Sequence, residues 1–468
     1  GQLKIDDLRI GSGKQSLSIE ATILGPVDET ISILDNDLLN FVSSTGIKLG
    51  ETTGFHKTKI QLGFPLINDL SLEDIRFTSS SQLKDIKSNL GFFNLNMYNS
   101  DIVVNVDKKS LKAKGKGLIE GIPVNFIWKE NFLKGVTLRS SYGIDAIIDE
   151  EIRKKIGFQL NPVIEGPISA GVTYEVSNDG SEVLNAKFDL TDSVINLQQL
   201  GWKKLSGSIS QAIFVISKEQ DWLNNSSRFT VTAPGLYSDG KISFRTDRVK
   251  PALSQIDFKQ VKIGESDFSV QISLEKQRKP KVIMSGKKLD LRRLVSKSLF
   301  DNESDIPPVQ VFIDEKHPLK TVRLGEKSFL LNPIGQITND GDKWTKIDLT
   351  GVLSNGGNVN LNLYKENQKR RVKIKTDNGG ALLSSLDWIN TIEGGEFNLV
   401  GEFTEDTLED QFIGNASIKN FKLNESSVGV RILSLASLSG LSDAVTGAGI
   451  SMRRAEVPFK VNKEDIRI

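Results

Sequence analysis

NVNLNLY, residues 358–364, decides how this chain is to be read. Val359, Leu361 and Leu363 alternate with Asn358, Asn360 and Asn362. A period of two puts the apolar side chains on one face of a pleated strand and the amides on the other, whereas a helix would scatter them around its surface. The pattern recurs along the chain. SLSIEATIL carries Leu17, Ile19, Ala21 and Ile23; DIVVNVD carries Ile102, Val104 and Val106; PVNFIWK carries Val124, Phe126 and Trp128; DFSVQISLE carries Phe268, Val270, Ile272 and Leu274. Short runs with one apolar and one polar face predict half-buried strands of antiparallel sheet.

Between many of the runs stand SNDG (177–180), YSDG (237–240), TNDG (338–341), SNGG (354–357) and DNGG (377–380). Their Asn, Asp and Gly tolerate the positive φ that tight hairpins need. Forty glycines against thirteen prolines also fit long antiparallel sheet better than alternating strands and crossover helices. Helical spacing interrupts the strands near residues 28–42, 148–157, 289–300, 380–392 and 431–446. In the first, Ile31, Leu34, Leu38 and Phe41 follow an acidic start that suits a helix N-terminus.

At roughly 8 to 12 residues per strand and turn, the chain has room for about 30 strands. A flat apolar face of that extent would aggregate, whereas a sheet curled along its length shelters it. The expected fold is therefore mainly β: a long curled antiparallel sheet forming an elongated, taco-like groove, with a few short helices. Residues 1–370 are expected to form the groove region and 371–468 an incomplete C-terminal module.

Composition narrows the function. Sixty basic and fifty-nine acidic residues give a net charge of +1, which leaves no field to steer nucleic acid. With no cysteine, disulfides and thiolate chemistry are excluded, which suits a Gram-negative periplasm or a cytoplasm. His56 and His317 are far apart, with no metal-binding motif near either, and are expected on the surface or in turns. GSGKQ (11–15) lacks the phosphate-loop pattern, with Leu8 where its first Gly belongs and Gln15 where Ser or Thr should follow the Lys. Carboxylates sit mostly in turns or alternate with Lys. No catalytic residue, metal ligand or cofactor site is assigned, and the chain is expected not to be an enzyme.

RILSLASLSGLSDAVTGAGI (431–450) has Asp443 as its only charge between Arg431 and Arg453. Its serines and glycines make it too polar for a membrane span, which needs about 20 predominantly apolar residues. Leu435, Leu438, Leu441 and Val445 form one apolar stripe, which predicts a helix packed on the sheet or capping the groove.

Several stretches, in their order and spacing, resemble the AsmA-like superfamily of Gram-negative envelope proteins, the YhdP and TamB relatives, in the form found in alphaproteobacteria. They are FDLTDSVINLQQLGWKKLSGS (188–208), VIMSGKKLDLRRLV (282–295) and IKTDNGGALLSSLDWINTIEGGEFNLVGEF (374–403), then GNASIKNFKL and the Leu-, Ser- and Gly-rich stretch above. The resemblance implies an apolar β-groove along which phospholipids slide across the periplasm between inner and outer membranes, with no chemical reaction. It also implies an inner-membrane anchor helix and membrane-component partners, both reached through terminal segments absent from this chain.

Acyl chains need a continuous apolar trough and no fixed coordinating residue. The expected lining is the inward members of the alternating runs: Ile102, Val104, Val106, Val124, Phe126, Trp128, Phe268, Val270, Ile272, Val359, Leu361, Leu363, Phe397 and Leu399. Two alternatives have other requirements. A scaffold for outer-membrane proteins would work by strand addition at an exposed edge. An elongated β enzyme acting on polysaccharide would need β-helix coils of ~20 to 25 residues, where this sequence has hairpin turns.

Overall fold

The alternating runs form strands, and the fold is mainly β, largely antiparallel sheet with a few short helices. The computed structural model describes residues 2–6, 16–34, 51–67, 69–71, 74–90, 95–133, 135–155, 163–197, 200–218, 226–247, 250–274, 279–293, 308–326, 328–341, 343–367, 369–404, 411–424, 449–461 and 466–467. Contacts divide the chain into two units, Gly1–Ile195 with Leu205–Phe229, and Asn196–Lys204 with Thr230–Ile468. The division falls near residues 196–230. At position 370, where the sequence suggested a module boundary, strand pairing runs on unbroken.

The first unit begins with β1 (Gln2–Asp6), β2 (Ser16–Pro26) and helix α1 (Val27–Leu34). A meander follows through β3 (Thr52–Pro65), β4 (Arg76–Leu90), β5 (Leu95–Asp107), β6 (Ser110–Ile119), β7 (Ile122–Asn131) and β8 (Leu138–Ile148). Helix α2 (Glu150–Lys155) and the two-residue β9 (Ile164–Glu165) precede β10 (Ile168–Ser177) and β11 (Glu182–Asp189). Then come the start of β12 (Val194–Leu197), whose Val194 and Ile195 pair with β9, and β14 (Gln211–Lys218). Each of β2 to β8 pairs antiparallel with the next, then β8 with β10, β10 with β11 and β11 with β14. One side of this sheet carries the core: Val27, Ile86, Met97, Ile102, Leu111, Ala113, Ile119 and Val124 are buried together.

The second unit contains β13 (Trp202–Lys204), the end of β15 (Ser226–Ala233), and then β16 (Leu236–Asp247), β17 (Lys250–Ile263), β18 (Ser266–Ser273) and β19 (Lys281–Asp290). Next come β20 (Val309–Ile313), β21 (Leu319–Arg323), β22 (Phe329–Asn339), β23 (Trp344–Leu353), β24 (Asn358–Glu366) and β25 (Lys369–Thr376). Helix α3 (Gly379–Ser385), β26 (Ile392–Thr404), β27 (Gln411–Leu423), β28 (Ile450–Val461) and β29 (Ile466–Arg467) complete it. One junction departs from the antiparallel rule. β19 runs parallel to both β20 and β21, which are both antiparallel to β22. β20 and β21 thus act as one interrupted strand, and the interruption is the exposed turn where Asp314 bridges to His317.

The sequence expectations need correcting at several points. YSDG (237–240) is no turn: it lies inside β16, where the register with β17 shifts between Asp239 and Gly240 as a bulge. DNGG leads into α3, with Asn378 as its N-cap, because a side-chain oxygen can satisfy a free helix N–H as readily as Asn can occupy a turn. The helix foreseen at 380–392 ends at Ser385, and Ile392 is already strand. Those near 28–42 and 148–157 are Val27–Leu34 and Glu150–Lys155, with residues 35–42 and 156–157 outside the described residues. Leu289 and Asp290 end β19, and residues 294–300 lie outside the described set. So do GSGKQ and the stripe of Leu435, Leu438, Leu441 and Val445. His56, expected at the surface, is buried.

Candidate functional site

Strand registers assemble the alternating residues into rows that cross each sheet. In the first unit one inner row runs His56, Leu83, Ile102, Gly115, Phe126, Ile144, Val172, Ala186 and Phe214. The row beside it runs Thr58, Ser81, Val104, Ala113, Trp128, Tyr142, Tyr174, Leu184 and Ile216. Successive strands stand ~4.8 Å apart, so each row extends on the order of 40 Å.

Burial along these rows is uneven. Ile102 and Val124 are buried, but Val104, Val106, Phe126 and Trp128 are only half-buried, while their outward neighbours Asn105, Asn125 and Lys129 are exposed. A sheet covered by a second layer would bury its whole inner face. Among the described residues, helix α1 rests on this face and brings Val27 and Ile31 into the core cluster. Elsewhere apolar side chains remain within reach of solvent.

Along the strands the apolar rows give way to an aromatic and then a charged border. The rings of Trp128 and Tyr142 stack with centroids 5.9 Å apart, and Tyr142 and Tyr174 are also 5.9 Å apart. The next row carries Glu130, Ser140, Val176, Glu182 and Lys218. Trp128 Nε1 donates to Glu130 Oε2 at 3.1 Å, Ser140 Oγ donates to Glu130 Oε1 at 2.7 Å, and the Tyr174 hydroxyl donates to Glu182 Oε2 at 2.8 Å. Lys218 Nζ closes the border on Glu182 at 2.6 Å. Burial, with the Glu130 charge adding to it, pushes the Tyr142 phenol up to about 12; burial and the Glu182 hydrogen bond raise Tyr174 further. Both phenols stay protonated, and that of Tyr174 donates to Glu182, as amphipathic rings do where apolar and polar surroundings meet.

His56 stands at the other end of the face. Its Nε2 lies 2.6 Å from Thr30 Oγ1 of α1, and its Nδ1 lies 2.7 Å from Thr58 Oγ1, which contacts Ser81 Oγ at 2.9 Å. Desolvation holds its pKa below the usual histidine value, so it is neutral at pH 7.

The second unit repeats the arrangement. One row runs Ile256, Ile272, Val282, Val311, Ile337, Ile347, Leu363, Val372, Gly401, Gly414 and Phe459. Its neighbour includes Leu349, Leu361, Ile374, Leu399, Ala416 and Val457. Val270, Ile272, Val359 and Leu361 are half-buried, whereas Phe268, Leu363, Phe397 and Leu399 are buried. Phe397 is covered because α3 lies on this end of the face with Ala381, Leu382 and Leu383 buried. At the opposite end Phe403, Phe412 and Phe459 pack ring to ring, and the Arg370 guanidinium sits 4.3 Å from the Phe403 centroid.

The expected lining residues thus fall on two faces. Ile102, Val104, Val106, Val124, Phe126 and Trp128 share the first; Phe268, Val270, Ile272, Val359, Leu361, Leu363, Phe397 and Leu399 share the second. Reading the sequence missed the borders. Glu130 follows Trp128 by two residues and so shares its face, a signal that was available. The pairing of Tyr174 with Tyr142, and of Glu182 with Lys218, depends on register and was not. Among the described residues no group of three His, Asp or Glu side chains is placed to hold a metal, and no helix is long and apolar enough to cross a membrane. No family model, curated protein or solved structure matches this chain.

Proposed function

We propose that the two apolar faces take up lipid acyl chains, and that this chain is part of a bridge-like carrier that conducts phospholipids across a Gram-negative periplasm without chemical reaction. The observation that carries the reading is the half-burial of apolar rows that stay in register from strand to strand. Contiguous apolar surface of this kind marks a place where something apolar binds. An acyl chain is such a ligand. Each CH₂ removed from water contributes about 0.8 kcal/mol, so shielding half of a sixteen-carbon chain contributes on the order of 6 kcal/mol. The aromatic and charged borders supply hydrogen-bonding groups where a headgroup would emerge. The periplasm and the bridging role rest on the resemblance to AsmA-like proteins.

Native mass spectrometry of the chain purified from a Gram-negative host is expected to find co-purified phospholipid. A phospholipid with a photoreactive acyl chain should label the inner rows. Val104→Glu and Leu361→Glu should each reduce labelling on their own face severalfold, while Asn105→Glu and Asn360→Glu, on exposed outer positions, leave it intact. A lipid-free protein, or labelling indifferent to the face that is charged, would overturn the proposal.

A further inference from the structure

The outer face of the first unit carries a cleft of about 800 Å³, on the side of the sheet opposite the apolar rows. It exists because α2 folds back over the end of the β8–β10 pair. Arg153, only 2% exposed, holds α2 there by donating to the carbonyls of Gly166 at 2.7 Å, Ile148 at 3.3 Å and Ile164 at 3.4 Å. Ile152 thereby forms a wall facing Pro123 and Ile147, the latter 64% exposed.

On the floor, Asp145 of β8, Gly171 of β10 and Lys187 of β11 are direct cross-strand neighbours. Gly171 leaves a gap between the two charged side chains, and a Cβ there would stand 3.4 Å from Asp145 Oδ1, so the carboxylate leans over that gap. Neither Asp145 nor Lys187 has a hydrogen-bond or ion-pair partner among the described residues. The other acidic groups of the cleft are engaged: Asp149 accepts from the backbone N–H of Ile152 at 2.8 Å, and Asp189 from that of Thr191 at 2.9 Å. Lys116 stands two strands away from Asp145, beyond Asn125.

Asp145 and Lys187 stand two strands apart, with backbones separated by roughly 10 Å, so a small ligand lying over Gly171 can meet both side chains. We propose that the cleft binds a small zwitterion, its ammonium group against Asp145, its anionic group against Lys187, and its carbon skeleton on Pro123, Ile147 and Ile152. Phosphoethanolamine headgroups and free α-amino acids share this chemistry. The inference does not rest on the acyl-chain proposal, because the cleft lies on the other side of the sheet.

Isothermal titration of the full chain with glycerophosphoethanolamine and with leucine tests it, with inorganic phosphate and ethanolamine as singly functional controls. At least one zwitterion is expected to bind, and which one identifies the source. Asp145→Asn and Lys187→Gln should each weaken binding by about tenfold or more, and Gly171→Val, which fills the gap, should abolish it. Exchanging the charges with Asp145→Lys and Lys187→Asp together should restore it, and Val104→Glu should leave it unchanged. Absence of binding by both zwitterions, equal binding of phosphate or ethanolamine alone, or indifference to the Asp145 and Lys187 substitutions would overturn the assignment.

Discussion

His56 is buried and keeps a hydrogen-bonding partner on each ring nitrogen. Its folded pKa lies below 6.5 because burial disfavours the charged ring. As pH falls through about 6.5 the unfolded chain takes up a proton that the folded one refuses, so the stability this residue contributes is present above that pH and declines below it. Urea unfolding of the first unit, followed by fluorescence, should therefore show a midpoint lower at about pH 5.5 than at about pH 7.5, and His56→Gln should flatten that difference. An unchanged slope in the variant would refute the argument. At this position the sequence was misleading. His56 was expected at the surface, but the register of β3 on β4 shifts between Thr53 and Phe55, and it is Phe55 that is 65% exposed while His56 turns inward. A bulge of one residue exchanges the two faces.

Elements were legible where their cause is local. Alternation placed the strands around Ile102, Phe126, Val270 and Leu361, and Gly-rich tetrapeptides placed the turns at 177–180 and 354–357. The parallel pairing of β19 with β20 and β21 was not legible, because it depends on a crossover connection and not on any pattern within the strands. The helix expected at 380–392 was overestimated because apolar residues at helical spacing continue past Ser385, where the helix ends. In α3 the Asn378 side chain accepts from Ala381 N at 3.0 Å, and the Leu386 N–H bonds back to Leu382 O at 3.1 Å. So short a helix owes its persistence to that cap and to burial of Leu382 and Leu383. Asn378→Ala is expected to destabilise the second unit by about 1 kcal/mol, read as a lower urea midpoint with an unchanged slope. Asn378→Ser, which retains a capping oxygen, should recover most of the loss. Equal losses in the two variants would assign the effect to packing.

For the whole chain, the near balance of sixty basic and fifty-nine acidic residues bears on how lipid would be held. If the apolar faces carry affinity, charge contributes little, and binding should respond to salt as burial does and not as ion pairing does. Raising NaCl from about 0.1 M to about 1 M shortens the screening length from about 10 Å to about 3 Å, which removes long-range attraction between exposed charges and leaves apolar burial intact. Fluorescent phosphatidylcholine and phosphatidylglycerol analogues should then bind with similar affinities, each changing by less than about threefold across that range. Preference for the anionic analogue, with affinity falling by tenfold or more in high salt, would place the interaction on lysine-rich outer positions such as Lys112, Lys114 and Lys129, all exposed, and would remove the apolar faces from the account. The substitutions then separate the two cases within one assay: Val104→Glu weakens an acyl-chain contact and spares a charge-driven one, whereas Lys112→Gln with Lys114→Gln does the reverse.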